Sequence, residues 1–457
     1  MLRWSRYNTL IRSERSGNLL YSSISNSLLE LDEQHYLKAR LLEEQPEAFR
    51  AEKDRAFIDT LSKQHILVDE GEDESLIMRK QYNRYCDCYG QKGLSLTICP
   101  TLACNFNCPY CFEQTPRDTT SMSEKTVENL LAFIREQAGS EKIHVDWYGG
   151  EPTLAFDTII DISERMLSEG LDFKNAQMTT NGYLLDKAKS ERLNDLKIDS
   201  IQITLDGTKD IHDSRRTLPG GEPTFQRILD NIDSLMHSSY RGKCDIRVNI
   251  DKTNRSGFVT LRETLLKRYK GKKVAVYPAR VKHEERTAFD SDEWAEYCMD
   301  LYDRHGIITK HMLYPKSNDR GSCIAQFSNS FVAGPSGELY KCWEDVGIKH
   351  RTIGNVNASP TLSNDELTAL YSVGTDQYAR NECRECFFLP ICGNACPKKR
   401  LEHTETCTHF KRHLQRSLEI IHDVFTTAET GKLLLDMPFT ALAAKGYRII
   451  YPAMPEE

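Results

Sequence analysis

Cys104-Asn105-Phe106-Asn107-Cys108-Pro109-Tyr110-Cys111 holds three thiols spaced x₃ and then x₂. Three thiolates at this spacing can hold three irons of a four-iron cluster and leave the fourth iron open. An open coordination position is what a catalytic metal centre uses to bind and activate a substrate. Structural zinc takes four ligands, usually in paired knuckles, so a lone triplet suits it poorly.

The loop follows an apolar stretch, residues 94–99, that reads as a short strand. Beyond it strand and helix alternate. Residues 143–148, 176–180, 201–205, 246–250 and 274–277 read as further strands. Between them, 124–138 has helical spacing (Val127, Leu130, Leu131, Ile134) with Ser123 as N-cap, and 158–167, 187–196 and 258–268 also read as helices. Another helix carries Phe225, Ile228, Leu229, Ile232, Leu235 and Met236 on one face. Six such units predict an α/β fold with a parallel sheet and right-handed crossovers. Gly149-Gly150-Glu151-Pro152 directly follows the second strand, where glycine lets backbone approach a ligand without a Cβ in the way. Thr180-Asn181-Gly182 closes the third strand, Thr204-Leu205-Asp206-Gly207 closes the fourth, and Arg247 lies within the fifth.

Composition sets wide bounds. A chain of 457 residues predicts about three domains, and 39% hydrophobic residues with a mean hydropathy of −0.54 is enough for a sizeable core. The net charge of −7 gives no reason to expect nucleic acid or an anionic membrane as partner. No apolar stretch reaches the roughly 18 residues of a membrane span. Residues 1–6 lack the apolar core of a signal peptide, so the expected location is the cytoplasm.

The chain has 15 cysteines, an odd number, and ten of them fall in two clusters, which points to metal rather than a disulfide framework. The second cluster runs Cys323, Cys342, then Cys383-x₂-Cys386-x₅-Cys392-x₃-Cys396, then Cys407, with Gly337 ahead of Cys342. Zinc ribbons repeat x₂ knuckles and do not have this pattern. Cys86, Cys88, Cys99, Cys244 and Cys298 read as ordinary thiols.

The triplet at Cys104, Cys108 and Cys111 resembles the signature of the radical S-adenosylmethionine (SAM) superfamily, and the seven later cysteines resemble the SPASM motif. The resemblance implies a partial (β/α)6 barrel with its site at the C-terminal strand ends. It also implies SAM and a [4Fe–4S] cluster, with a 5′-deoxyadenosyl radical formed by reductive SAM cleavage, and two auxiliary iron–sulfur clusters. By the same resemblance Gly149, Gly150, Glu151 and Pro152 form the motif that holds the SAM amino group, and Thr180 sits beside it. Thr204 faces SAM, Arg247 pairs with its carboxylate and Tyr110 lies beside the adenine. A salt-bridged strand arginine is the plainer reading of Arg247. Cys383, Cys386, Cys392 and Cys407 are implied to ligate one auxiliary cluster, and Cys323, Cys342 and Cys396 another. The second set is one cysteine short, since residues 316–321 contain none. It implies an open iron, a non-cysteine ligand, or a distant one such as Cys298.

Glu344, two residues after Cys342, is a candidate base or weak ligand, set against the plainer reading of a surface carboxylate. Trp343 directly follows Cys342, where sulfatase maturases carry an aspartate. Residues 1–90 read as three strands (7–11, 19–24, 27–31) followed by helices at 33–42 and 53–63, ending in Ile66-Leu67-Val68. This pattern resembles the winged-helix RiPP recognition element, which takes a leader peptide as an added strand. A structural cap on the barrel is the alternative. The expected organisation is a leader-binding domain at 1–90, a radical SAM core at 91–285, a linker at 286–319, a SPASM domain at 320–410 and a tail at 411–457. The expected function is a peptide maturase that cross-links a ribosomally made precursor through a thioether or carbon–carbon bond, with flavodoxin or ferredoxin as reductant. The alternatives are a sulfatase-type maturase, a small-molecule SPASM dehydrogenase, and a non-enzymatic iron–sulfur or zinc protein.

Overall fold

The computed structural model describes residues 2–45, 55–90, 93–111, 119–282, 286–309, 312, 314–315, 323–392, 395–404, 407–426, 442–444 and 447–451. Residues 53–54 of the expected second helix, part of the 286–319 linker and much of the 411–457 tail lie outside the described residues. The chain divides into two compact units, one of residues 1–88, 291–323 and 375–457, the other of 89–290 and 324–374.

The first unit opens with β1 (Arg3–Trp4), β2 (Asn8–Ser13), β3 (Gly17–Ser22), β4 (Ser27–Leu31), α1 (Glu33–Glu44), α2 (Arg55–Lys63), β5 (Leu67–Val68) and α3 (Glu72–Tyr89). β2, β3 and β4 form an antiparallel meander whose first turn has Gly17 at φ +72°, a left-handed conformation that costs glycine little. Asp32 caps α1, accepting a hydrogen bond from the His35 amide at 2.8 Å. Leu20, Leu29 and Leu31 pack with Tyr36, Ala39 and Leu42 of α1 and Phe57 and Leu61 of α2. Each fully buried leucine contributes about 1.5–3 kcal/mol.

α3 occupies a stretch for which the sequence predicts no helix. Its buried residues are Asp73, Leu76, Arg84 and Cys88, so no apolar stripe announces it. Distant partners satisfy the charges: Ser5 Oγ donates to Asp73 at 2.7 Å, and Arg84 pairs with Asp376 at 2.6 Å.

The second unit contains β6 (Leu94–Ile98), α4 (Glu124–Ala138), β7 (Ile143–Trp147), α5 (Phe156–Ser168), β8 (Phe173–Thr180), α6 (Lys187–Arg192), β9 (Ile198–Leu205), α7 (Lys209–Asp213), α8 (Phe225–His237), β10 (Lys243–Ile250), α9 (Phe258–Arg268) and β11 (Val274–Arg280). The strands pair in parallel in chain order, as the repeating pattern predicts. Ser123 caps α4 by accepting from the Thr126 amide at 3.2 Å, and the predicted Val127, Leu130, Leu131 and Ile134 are buried. Several strands extend past their predicted ends; β10 starts at Lys243 rather than Ile246, where polar Lys243 and Asp245 flank a buried Cys244. In β10 Ile246, Val248 and Ile250 are buried while Asp245, Arg247 and Asn249 alternate with them.

α10 (Ser291–His305) returns to the first unit. β12 (Ser330–Ala333), β13 (Glu338–Tyr340) and β14 (Gly354–Asn355) then extend the parallel sheet past β6, giving nine strands in the order β11-β10-β9-β8-β7-β6-β12-β13-β14. The sequence does not predict this extension: all four residues of β12 are buried, so alternation is absent. The short helices α11 (Asp365–Ala369), α12 (Asn381–Arg384) and α13 (Pro397–Leu401) precede α14 (Leu414–Thr426), β15 (Leu442–Ala444) and β16 (Tyr447–Tyr451). α14 packs across the N-terminal meander: Ser13 Oγ donates to Glu419 at 2.7 Å, and His422 Nε2 lies 3.1 Å from Glu30. β16 pairs with β4, completing a five-stranded sheet β15-β16-β4-β3-β2. Among the described residues no helix is long and apolar enough to cross a membrane.

Candidate active site

The cysteine loop leaves β6 and is held by the turn after β7. Gly149, at φ +112°, has no room for a side chain, since a Cβ would sit 2.4 Å from the Thr101 carbonyl oxygen. At Gly150 a Cβ would meet the Leu102 oxygen at 2.3 Å and the Ala103 oxygen at 2.4 Å. The Gly150 and Glu151 amides donate to Thr101 and Ala103 at 3.2 and 2.9 Å. The glycines therefore let the turn lie directly against the backbone that leads into Cys104.

Glu151 is buried and ties the ends of two strands together. Its carboxylate accepts from the Thr153 amide at 3.0 Å, from Thr180 Oγ1 at 2.6 Å and from the Asn181 amide at 2.7 Å. Burial raises its pKa, against the pull of these hydrogen bonds. Asn181 reaches on to Asn105 in the cysteine loop at 2.7 Å. The Thr180 hydroxyl also accepts from the Gly182 amide at 3.0 Å, so its contacts are within the scaffold. In register, Thr180 stands beside Ile203, while Thr204 stands beside Arg247. Because alternate residues face opposite sides of a sheet, Thr204 and Arg247 share one face and Thr180 belongs to the other.

On the Thr204 face a polar network runs back to the loop. Arg247 Nε donates to Asn249 at 2.9 Å, and Asn249 Nδ2 donates to Tyr110 Oη at 3.3 Å. Tyr110 Oη donates to Asp206 at 2.6 Å and accepts from Arg216 at 3.0 Å. Burial keeps the Tyr110 phenol protonated, well above its ordinary pKa. Arg215 bridges Asp206 and Asp251, at 2.8 Å to each. Burial alone would raise the Asp251 carboxyl, but hydrogen bonds from Thr253 and Arg215 outweigh it and lower the pKa. His212 lies beneath: its Nδ1 accepts from the Asp206 amide at 3.3 Å, which leaves Nε2 to donate to Thr224 Oγ1 at 3.0 Å. Burial, and then the Arg216 charge, lower its pKa to about 3, so the ring is neutral.

The sequence singles out none of Asn249, Arg215 and Arg216, and marks Asp206 only as part of the stretch that closes the fourth strand. The Arg247-x-Asn249 alternation and the adjacent arginine pair were the available signals.

Burial, followed by the Glu151 charge, pushes the Cys104 thiol up to about 12, and burial raises Cys108 as well. The donor set fits an iron–sulfur cluster. The Phe106 amide already donates to Cys104 Sγ at 3.4 Å, and such hydrogen bonds tune cluster sulfurs. Arg215 Nη2, Arg216 Nε and Asn105 Nδ2 are buried with no hydrogen-bond partner among the described residues, donors that an anionic group at this loop would satisfy. No three His, Cys, Asp or Glu side chains among the described residues converge as a single metal ion requires. A cube-shaped cluster takes each thiolate on its own iron.

Trp343 stacks on Tyr148, with ring centroids 5.8 Å apart. Glu344 forms an ion pair with Lys282 at 3.5 Å, and Asp345 accepts from the Tyr371 hydroxyl. Cys342 lies in the same unit as these residues, while Cys323, Cys383, Cys386, Cys392, Cys396 and Cys407 belong to the other. The Cys386 amide donates to the Cys383 carbonyl at 3.0 Å, Gln377 Nε2 donates to the Cys392 carbonyl at 3.0 Å, and Cys396 is the N-cap residue of α13. Lys411 Nζ lies 3.9 Å from Cys407 Sγ. Cys298 lines a small apolar cavity with Met299, Ile308, Met312, Tyr314 and Phe410, and burial pushes its thiol up to about 12.

Residues 98–265 match the family model of the Radical SAM superfamily. The serine-type anaerobic sulfatase-maturating enzyme of Klebsiella aerogenes is 22% identical over 321 residues, covering 65% of this chain and 77% of that protein. A probable GTP 3′,8-cyclase of Methanocella arvoryzae is 34% identical over 154 residues, covering 33% of this chain and 46% of that one. Among solved structures, native anSMEcpe with bound AdoMet shares the fold with a TM-score of 0.58 at 18% identity, over 74% of this chain and 100% of that one. The chain carries a radical SAM domain, the kind that uses SAM and a [4Fe–4S] cluster.

Proposed function

We propose that the protein is a radical SAM peptide maturase that cross-links a ribosomally made precursor through a thioether or carbon–carbon bond, with net loss of two hydrogens. The observation that carries this reading is the β2–β4 meander with its helices in the same chain as a radical SAM domain. A sheet edge is what an extended leader peptide pairs with.

Cys104, Cys108 and Cys111 would hold the [4Fe–4S] cluster. When bound, that cluster and SAM supply the 5′-deoxyadenosyl radical that abstracts hydrogen from the peptide. Arg247 offers a guanidinium fork to the SAM carboxylate, on the sheet face it shares with Thr204. Tyr110, fixed by Asp206, Arg216 and Asn249, presents its ring to the adenine. The turn at Gly149, Gly150, Glu151 and Pro152 holds the SAM amino group, with Thr180 bracing Glu151. Cys383, Cys386, Cys392 and Cys407 would ligate one auxiliary cluster, and Cys323, Cys342 and Cys396 a second that accepts the electron left by substrate oxidation. Glu344, released from Lys282, is the candidate base. Flavodoxin or ferredoxin would supply the reducing electron.

The test is anaerobic incubation of the reduced, reconstituted full chain with SAM and the peptide encoded by a small neighbouring reading frame. Tandem mass spectrometry should show a two-hydrogen loss and locate the link, and Cys108→Ala should reduce modification to background. The second reading, sulfatase maturation, is favoured by similarity to the Klebsiella aerogenes enzyme over 65% of the chain. Formylglycine on a sulfatase segment, with the precursor left unmodified, would establish it instead.

A further inference from the structure

Arg216 spans the cysteine loop. Its guanidinium lies 5.4 Å from the centre of the Phe106 ring and donates to Tyr110 Oη at 3.0 Å, so it touches the residues on either side of Cys108. Backbone contacts hold it there. The Asn107 amide donates to the Thr217 carbonyl at 2.9 Å, and the Arg216 amide donates to the His212 carbonyl at 2.8 Å. Thr224 Oγ1 donates to the Arg216 carbonyl.

The side chain is buried, and its charge is only loosely matched. Arg215 takes two carboxylates at close range, Asp206 and Asp251 at 2.8 Å each. Among the described residues Arg216 meets a carboxylate only at 4.0 Å, on the same Asp206. Its other partner, Tyr110, is a neutral phenol, and Nε has no hydrogen-bond partner among the described residues. A buried cation held this way is costly unless an anionic group meets it. Of the charges around Cys108, that of Arg216 acts on it most strongly.

We propose that Arg216 sets the reduction potential of the [4Fe–4S] cluster held by Cys104, Cys108 and Cys111, raising it through its fixed charge and its spare Nε donor. Reduction adds one electron, and so one negative charge, at a loop where Phe106 and Cys108 are buried from water. A fixed cation beside that charge favours the reduced form, and a hydrogen bond to a cluster sulfur acts in the same direction. Glu151, whose charge weighs on Cys104, pulls the other way. Over about 10 Å, at an effective dielectric of about 20, a unit charge shifts such an equilibrium roughly tenfold. The electron is that of the external reductant, and no bond forms or breaks in this step. Arg216 needs only the radical SAM domain for this role, whatever the substrate.

The test is an anaerobic redox titration of the reconstituted full chain, without SAM or peptide, followed by electron paramagnetic resonance. The signal to follow is the one absent from Cys108→Ala. Arg216→Met should lower its midpoint by about 59 mV, a tenfold shift for one electron, and Arg216→Lys should recover most of that. An unchanged midpoint in Arg216→Met, a lysine variant shifted as far as the methionine one, or loss of iron from Arg216→Lys overturns the proposal. Should Arg216→Met fail to retain iron, Asp206→Asn carries the test. Removing the facing carboxylate should raise the midpoint, and an unchanged or lowered one overturns the proposal. Because no peptide is present, a shifted midpoint alongside an unmodified precursor upholds the role of Arg216 and sinks only the maturase reading.

Discussion

The two sheets of this protein are built in opposite ways. The parallel strands β6 to β11 pair in chain order through local βα units, with α4, α5, α8 and α9 each burying an apolar stripe. The N-terminal sheet draws its strands from both ends of the chain. Its cover is fixed by polar contacts between residues far apart in sequence: Ser13 with Glu419, Glu30 with His422, and Arg84 with Asp376. Local apolar periodicity suffices to assemble the first. The second must close loops of hundreds of residues before its contacts form, and loop-closure entropy opposes that step.

This contrast breaks most sharply at Asp376, which accepts from Arg84 and Tyr85 at 2.6 Å each. Asp376→Ala leaves Arg84 buried and unpaired, and should destabilise the first unit by about 3–5 kcal/mol. Chemical denaturation should show that unit melting earlier while the parallel-sheet unit is unchanged. A single concerted loss of both units would erase the distinction.

In the parallel-sheet unit the largest effect is expected at the glycine turn. Gly150→Ala forces a Cβ against two carbonyl oxygens of the cysteine loop. It should cost roughly 1–3 kcal/mol and lower iron content per chain, read by chemical iron analysis beside the thermal midpoint. Unchanged iron would mean the loop relaxes without cost.

His212 sharpens the comparison by pH. Its pKa is lowered to about 3 in the fold, against about 6.5 in the unfolded chain. Below pH 6.5 the unfolded chain binds a proton that the folded chain does not. This stability is therefore fully present above pH 6.5 and is lost as pH falls toward 3. The loss should be about 2 kcal/mol between pH 6.5 and 5. His212→Asn keeps an acceptor for the Asp206 amide, and should flatten that part of the stability-versus-pH curve at some cost near neutrality. An unchanged slope would assign the acid sensitivity elsewhere. Ser123→Ala should cost about 1 kcal/mol by removing the α4 cap, measured by the same denaturation.

Legibility followed the same division. The strands β6 to β11, the α4 cap and the α8 face were readable, because burying one face imposes a period on the residues that face it. α3 was not readable, since the groups it buries are Asp73 and Arg84, whose partners lie elsewhere in the chain. β12 was hidden for the opposite reason, being buried throughout. Within the site, the cysteine spacing and the glycine turn stood out as local patterns. The links from Tyr110 to Asp206, Arg216 and Asn249 did not, because they join four separate segments.

By itself the sequence determined the cysteine loop, the alternation of strand and helix behind it, and the three-stranded meander at the start. These depend on spacing and on faces that must leave water, which neighbouring residues already encode. Tertiary structure decided what the glycines are for, which sheet face Thr180 and Thr204 occupy, and which strand completes the β4 edge. Those outcomes depend on register and on partners hundreds of residues away, which no local pattern can carry.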